Sequence, residues 1–183
     1  MKNYLLLLIF FLTTQLLQAQ NYLKGTLYYL DGTQKSLLIN KKIDGPKIKV
    51  KEQSGESYTV ESSSVKALVL ATKKGDGEIW YEYLKTVDVK GKEGKKAQWL
   101  NKVIDGEVSL YMESWVAIGN PAGSGESYYV KRREEEVATK VSALKYISQM
   151  TEYFKDQPAI VEKVQTRDYG PRDLVLLYND VVE

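Results

Sequence analysis

Two glutamates set among aromatic residues are the side chains best placed to do chemistry. Glu78 and Glu82 fall in the stretch 78–84, which has the composition of a strand. Every second residue of a strand points to one face, so these two carboxyl groups share a face if the strand is regular. Most glycoside hydrolases need only two carboxyl groups at a defined separation. A sugar stacked on Trp80 could then meet both, which makes this stretch the candidate ligand-binding site, formed by Glu78, Trp80, Tyr81, Glu82 and Tyr83.

A structural role explains the same stretch more simply. Aromatic side chains on neighbouring strands pair across a sheet, and exposed glutamates keep the other face soluble. The pattern therefore assigns no catalytic residue. A non-enzymatic binding or structural role is the favoured interpretation, and a carboxylate-dependent glycan hydrolase is the alternative. An enzyme would need Glu78 and Glu82 to converge in a pocket about 5 to 10 Å apart, whereas a binding domain would not.

The lack of two residue types removes most other chemistry. The 183 residues include no histidine and no cysteine. Histidine is the commonest general base and the commonest metal ligand. Without both types there is no Ser-His-Asp or Cys-His site, no tetrahedral zinc site and no haem ligation of the usual kinds. We therefore expect no metal and no cofactor, and a fold held together by its core without disulfides.

The charge balance argues against a nucleic-acid partner. The chain carries 26 Lys and Arg against 24 Asp and Glu, a net charge of +2. Nucleic-acid binders rely on clustered positive charge to neutralise phosphates. The local lysine cluster 41–51 alternates along a predicted strand, so we interpret it as a solvated face or a blunted sheet edge.

The first residues have the layout of a signal peptide. Lys2 is followed by the apolar run 4–12, and the small residue Ala19 suits a peptidase cutting before Gln20. The run is too short to remain as a membrane anchor, and no later segment approaches the length of a span. The sequence therefore predicts an exported domain with no integral membrane segment after cleavage, and a periplasmic, envelope-associated or secreted location.

The elements after the signal are strands first and helices last. Short alternating stretches separated by turns predict an antiparallel sheet, with tight hairpins at Asp31-Gly32 and Asp105-Gly106. From Glu134 onward, apolar residues recur every three or four positions, which predicts a helix with one buried face. That stripe consists of Val137, Val141, Leu144, Ile147, Met150 and Phe154.

These elements predict an α+β fold. An antiparallel β meander, as a sheet or partly closed barrel, precedes two to three C-terminal helices. The predicted organisation is a signal peptide at 1–19, an antiparallel β domain at 20–133 and a helical C-terminal subdomain at 134–183 packed on the sheet. Pro158 and Pro171 are placed where helices restart.

Three segments carry a resemblance to a known group of proteins. They are 27–32, 103–111 and 153–163. In their order along the chain they resemble exported proteins of unknown function common in Bacteroidota. Members of that group often have Cys where Gln157 stands, so this chain departs from the pattern at that point. The resemblance implies an exported protein and brings no known activity with it.

The excess of tyrosine points to binding in general terms. The chain has 14 tyrosines, and a tyrosine ring is apolar while its hydroxyl can stay wet. A concave aromatic face could bind a sugar, a peptide or a lipid, whereas scattered core and rim positions explain the same count. The expected partner is an envelope protein or a glycan.

Overall fold

The chain forms two compact units, of which one ends at Ile79 and the other begins at Trp80. The computed structural model describes residues 21–43, 45–72, 77–88, 90, 92–94, 97–116 and 124–182. The predicted signal peptide lies outside these ranges and stays a prediction. The division between the units falls inside the segment 20–133, which the sequence predicts as one β domain.

The N-terminal unit is a five-stranded antiparallel sheet. Its strands are β1 (Tyr22–Tyr29), β2 (Gln34–Asn40), β3 (Lys47–Lys51), β4 (Ser57–Glu61) and β5 (Val65–Ala71). Their order in the sheet is β5-β1-β2-β3-β4. The hairpin predicted between β1 and β2 is confirmed: Gly32 has a φ of 85°, and the Asp31 carboxylate accepts the backbone N–H of Thr33 at 2.9 Å.

The lysine-rich strand β3 presents a solvated face. Ile48 and Val50 are buried, whereas Lys47 and Lys49 between them are exposed. Because β3 lies between β2 and β4, it is not an edge strand. Of the two interpretations of the alternating lysines, the solvated face is therefore the one confirmed.

The C-terminal unit is built on a closed five-stranded barrel. Its strands are β6 (Glu78–Val87), of which the part from Trp80 belongs here, β7 (Gln98–Ile104), β8 (Val108–Val116), β9 (Ser124–Arg132) and β10 (Val137–Lys140). From β6 to β10, each strand pairs with the next in antiparallel orientation. β10 then pairs in parallel with β6, from Val137 opposite Lys85 to Thr139 opposite Val87, and so closes the ring.

Three helices follow the barrel, which confirms the predicted α+β class. They are α1 (Tyr146–Tyr153), α2 (Pro158–Thr166) and α3 (Pro171–Val182), each of the last two beginning at a predicted proline. They pack on the outer face of β8 and β9. The resulting apolar core is formed by Val108, Leu110, Val130, Met150, Phe154, Ile160, Val164, Leu174, Val175 and Tyr178.

The helical segment predicted from Glu134 begins twelve residues later, at Tyr146. Residues 137–140 are instead strand β10, because their backbone groups complete the barrel. The buried stripe is correspondingly shorter. Met150 and Phe154 are fully buried, but Leu144 is 99% exposed in the turn before α1. The prediction that Leu144 is a core residue is therefore wrong.

The hairpin at Asp105-Gly106 is confirmed, although its glycine is needed for a different reason. A Cβ at Gly106 would lie 2.6 Å from the side-chain carbon Cγ of Asn179, and it would overlap the amide nitrogen. The Asn179 amide accepts the Val108 N–H and donates to the Val108 carbonyl, both at 2.9 Å. Glycine thus allows α3 to bond directly to the start of β8.

Candidate functional site

The five residues predicted as a ligand site all lie in β6, in different surroundings. Glu78 is exposed in the part of β6 that belongs to the N-terminal unit. Trp80 is 39% exposed. Burial raises the pKa of Tyr81, and the Tyr83 ring packs 5.2 Å from that of Trp99.

Both carboxylate oxygens of Glu82 bind partners inside the C-terminal unit. One of its carboxylate oxygens, Oε1, lies 2.7 Å from the Lys102 ammonium. The other, Oε2, accepts the Tyr111 hydroxyl at 2.7 Å. Burial, together with the negative charge of Glu82, raises the pKa of Tyr111. The hydroxyl is thereby held in its neutral, donating form.

A second tyrosine–glutamate pair lies beside the first on the barrel's inner face. Tyr129 is the cross-strand partner of Tyr111. Its hydroxyl donates to Glu113 at 2.7 Å and accepts the Gln98 amide at 3.0 Å. Burial and the hydrogen bond to Glu113 raise the pKa of Tyr129. The inner face of the barrel therefore combines a hydrogen-bonded polar network with a small buried cluster in which Leu84, Leu100 and Ala138 pack with the two tyrosines.

Sequence reasoning did not identify this network. The signal available was the alternation along β8, where Ser109, Tyr111 and Glu113 occupy every second position. In an open sheet such a set faces solvent, whereas closure of the barrel turns it inward.

A concave surface lies between β9, the turn before α1 and the end of α2. It is a groove of about 1400 Å³, which we call the α1 groove. Its larger apolar and aromatic lining residues are Tyr128, Val141, Leu144, Tyr146, Ile147 and Tyr169. The groove does not follow from the sequence pattern, because the helical period places Leu144 on a buried helix face.

Hydrogen bonds fix the walls of the α1 groove. The Gln149 side chain accepts the Ser142 N–H at 2.9 Å and donates to the Lys140 carbonyl at 2.7 Å. These bonds hold the chain as it leaves β10. On the opposite wall the Tyr146 hydroxyl donates to the Tyr169 carbonyl at 2.7 Å. Bonds within the chain therefore hold both walls of the groove in place.

Cations outnumber acids along the α1 groove. Its positively charged lining residues are Lys140, Lys145 and Arg167, and its negatively charged ones are Asp88 and Glu126. Both acids already accept hydrogen bonds within the chain. Asp88 accepts the N–H groups of Lys90 and Lys92, and Glu126 accepts the Tyr128 hydroxyl at 2.5 Å. Hydrogen bonding leaves both carboxylates charged, so the lining has a net charge of +1, from three cations and two acids, and this charge favours a ligand with negative charge.

A cluster of hydrogen-bonded polar side chains joins the helices to the barrel. The Arg132 guanidinium donates to the Tyr178 hydroxyl at 2.6 Å and lies 2.8 Å from Asp156. The Tyr178 hydroxyl donates in turn to Asp156 at 2.6 Å. Arg132 also donates to the Tyr153 carbonyl at 2.7 Å. Because its groups bond to one another, we interpret this cluster as a structural connection.

Within the described ranges, no three or more acidic side chains are grouped so that they could hold a metal ion. No helix in the same ranges has both the length and the apolar character needed to cross a membrane. No protein-family model, no curated protein and no solved structure matches the chain. Among the described residues, the α1 groove is the concave surface best suited to bind a ligand.

Proposed function

We propose that this chain is an exported, non-enzymatic binding domain of the envelope or the secreted fraction, and that the α1 groove is its binding site. The observation that carries the proposal is Leu144, a large apolar side chain that is 99% exposed beside a concave, aromatic-lined groove. Preformed concave sites lined by apolar side chains with a few polar groups are the usual places for ligands. A bound ligand would remove Leu144 from water.

The carboxylate-dependent hydrolase has less support. Both oxygens of Glu82 are engaged, one by Lys102 and one by Tyr111, so a substrate would have to displace an internal partner. The two acids that line the α1 groove are engaged as well. A binding role needs no free carboxylate and is consistent with all of these contacts.

The groove is tested with an anionic apolar dye, 8-anilinonaphthalene-1-sulfonate, by following its fluorescence with purified protein. We expect saturable binding that Leu144→Asp weakens by about tenfold or more, because the change places a charge in the groove. Leu176→Asp is the matched control, since Leu176 is 49% exposed on α3 and outside the groove. Equal binding by the two variants would contradict the proposed site.

Export is tested separately by mass spectrometry of the protein purified from its native host. We expect the mature chain to begin at Gln20 or close to it. Retention of Met1 and the apolar run would contradict the exported location and leave the groove hypothesis standing.

A further inference from the structure

We propose that the α1 groove takes an extended, acidic peptide segment of a partner protein, which adds as a strand to the open edge of β9. This inference rests on the proposed function because it names the class of ligand for the same site. Three observations carry it: an unpaired stretch of strand, its position in the groove wall, and the charge of the groove.

The open edge arises because β10 is shorter than β9. β10 pairs with Tyr129 and Val130, and the Val141 N–H donates to the Tyr128 carbonyl at 2.8 Å. There the chain leaves the sheet, while β9 extends back to Ser124. Among the described residues, no other strand pairs with this edge before Tyr128.

The backbone of Glu126 faces this open edge. The N–H and C=O of one residue point to the same side of a strand, and residues two apart repeat that direction. The Tyr128 carbonyl points towards β10, so the Glu126 N–H and carbonyl point the same way. β8 occupies the other side of β9, with Ser114 opposite Glu126. One residue thus offers a donor and an acceptor to an incoming strand.

The open edge is also a wall of the groove. Glu126, Ser127 and Tyr128 are among the groove's lining residues, together with Leu144 and Ile147. A strand added here would direct every second side chain towards the apolar lining. An acyl chain could fill the groove but has no group to pair with the Glu126 backbone, and a sugar lacks the regular N–H and C=O spacing of a strand. The combination therefore favours a peptide.

Charge decides which kind of peptide fits. Three cations, Lys140, Lys145 and Arg167, line the groove against two acids, so its lining has a net charge of +1. Complementary charge steers association and excludes wrong partners. The peptide we infer alternates apolar and acidic residues.

The test uses three labelled seven-residue peptides, with acetyl and amide ends, in fluorescence anisotropy with the purified protein at low salt. The first alternates valine and glutamate, the second replaces glutamate by lysine, and the third is the first with alternate amides N-methylated along one edge. We expect saturable binding of the first. The second should bind about tenfold more weakly from charge, and the third about tenfold more weakly from lost backbone pairing.

Two variants locate the effect. Glu126→Pro removes the edge N–H while sparing the ladder to β8, because that N–H faces away from β8; it should weaken the first peptide about tenfold. Glu126→Ala keeps the backbone and removes an acid, so it should bind this peptide at least as tightly as the wild type. If the proline variant does not fold, the N-methylated peptide still tests edge pairing.

Some results would overturn the inference. Equal affinity for the methylated and unmethylated peptides would exclude strand addition, and no saturable binding of the first peptide up to about 1 mM would exclude the peptide class. If laurate bound saturably while the first peptide did not, the groove would be a lipid site. In each case, dye binding that depends on Leu144 would leave the proposed function intact.

Discussion

The two faces of strands β8 and β9 are both covered, yet they are held by different forces. The outer face presents Leu110 and Val130 to the three helices in an apolar core. The inner face presents Tyr111 and Tyr129, whose hydroxyls donate to glutamates on β6 and β8. On the outer face, stability comes from apolar area removed from water. On the inner face, it depends on whether each polar group keeps its partner.

This difference shows that alternation alone does not reveal exposure. A pattern of apolar and polar residues normally places the polar set in water. Here the barrel closes over that set, and its tyrosine rings supply apolar bulk while their hydroxyls satisfy the carboxylates. The two faces should therefore respond differently to mutation.

The largest effect is expected on the outer face. Phe154→Ala removes a fully buried ring that lies 5.2 Å from the rings of Tyr153 and Tyr178. It should lower the free energy of unfolding by about 3 to 5 kcal/mol, measured by denaturant melts. Leu176→Ala, on the exposed side of α3, is the control and should cost no more than about 0.5 kcal/mol. A similar small loss for both would mean that the helices contribute little to the unit.

The inner face should give a smaller loss without a large cavity. Tyr111→Phe keeps the ring and removes the hydroxyl that donates to Glu82, so it should cost about 1 to 3 kcal/mol in the same melts. Tyr128→Phe removes a hydroxyl bonded to the exposed Glu126 and should cost about 0.5 kcal/mol or less. If the two losses were equal, the inner network would be no more important than a surface contact.

Acid should act on the connection between the helices and the barrel. Although partial burial opposes ionisation, the hydrogen bond from Tyr178 and the nearby Arg132 hold the pKa of Asp156 below its ordinary value of 3.8. Because the pKa is lower in the folded state, the ionised carboxylate stabilises the fold above pH 3.8. This stabilisation is lost as the pH falls through the folded pKa. When the pH is lowered from 6 to 3, the melting temperature of the wild type should therefore fall further than that of Asp156→Asn. Equal losses would show that the ion pair contributes nothing.

The smallest effect is expected at Leu144. Because this side chain is exposed, Leu144→Ala should change the free energy of unfolding by no more than about 0.5 kcal/mol. A loss above about 2 kcal/mol in denaturant melts would mean that the side chain is buried in solution, as the sequence pattern predicts.

The sequence was sufficient for local features of the fold. Asp31-Gly32 predicted its turn because glycine alone adopts positive φ freely, and Pro158 and Pro171 marked where helices begin. It was insufficient for β10. Residues 137–140 lie in the predicted helical segment but form a strand, because they pair with β6 some fifty positions earlier.

The same limit applies to the candidate site. Composition directed attention to aromatic and acidic residues, but the contacts of Glu82 depend on Lys102 and Tyr111 from other strands. The α1 groove depends on the turn that exposes Leu144. A periodic pattern predicts that residue as buried, since it carries no information about where the helix starts.

The bond between Asn179 and Val108 has a consequence for how this unit is made. The two residues are 71 positions apart, yet the amide pairs with both backbone groups at the start of β8. Contacts between distant residues slow folding, because a long loop must close before they form. During synthesis the β7–β8 hairpin therefore emerges well before the segment that fastens it. The unit completes its structure only after α3 is made, and until then its apolar strand faces are open to chaperones and to aggregation.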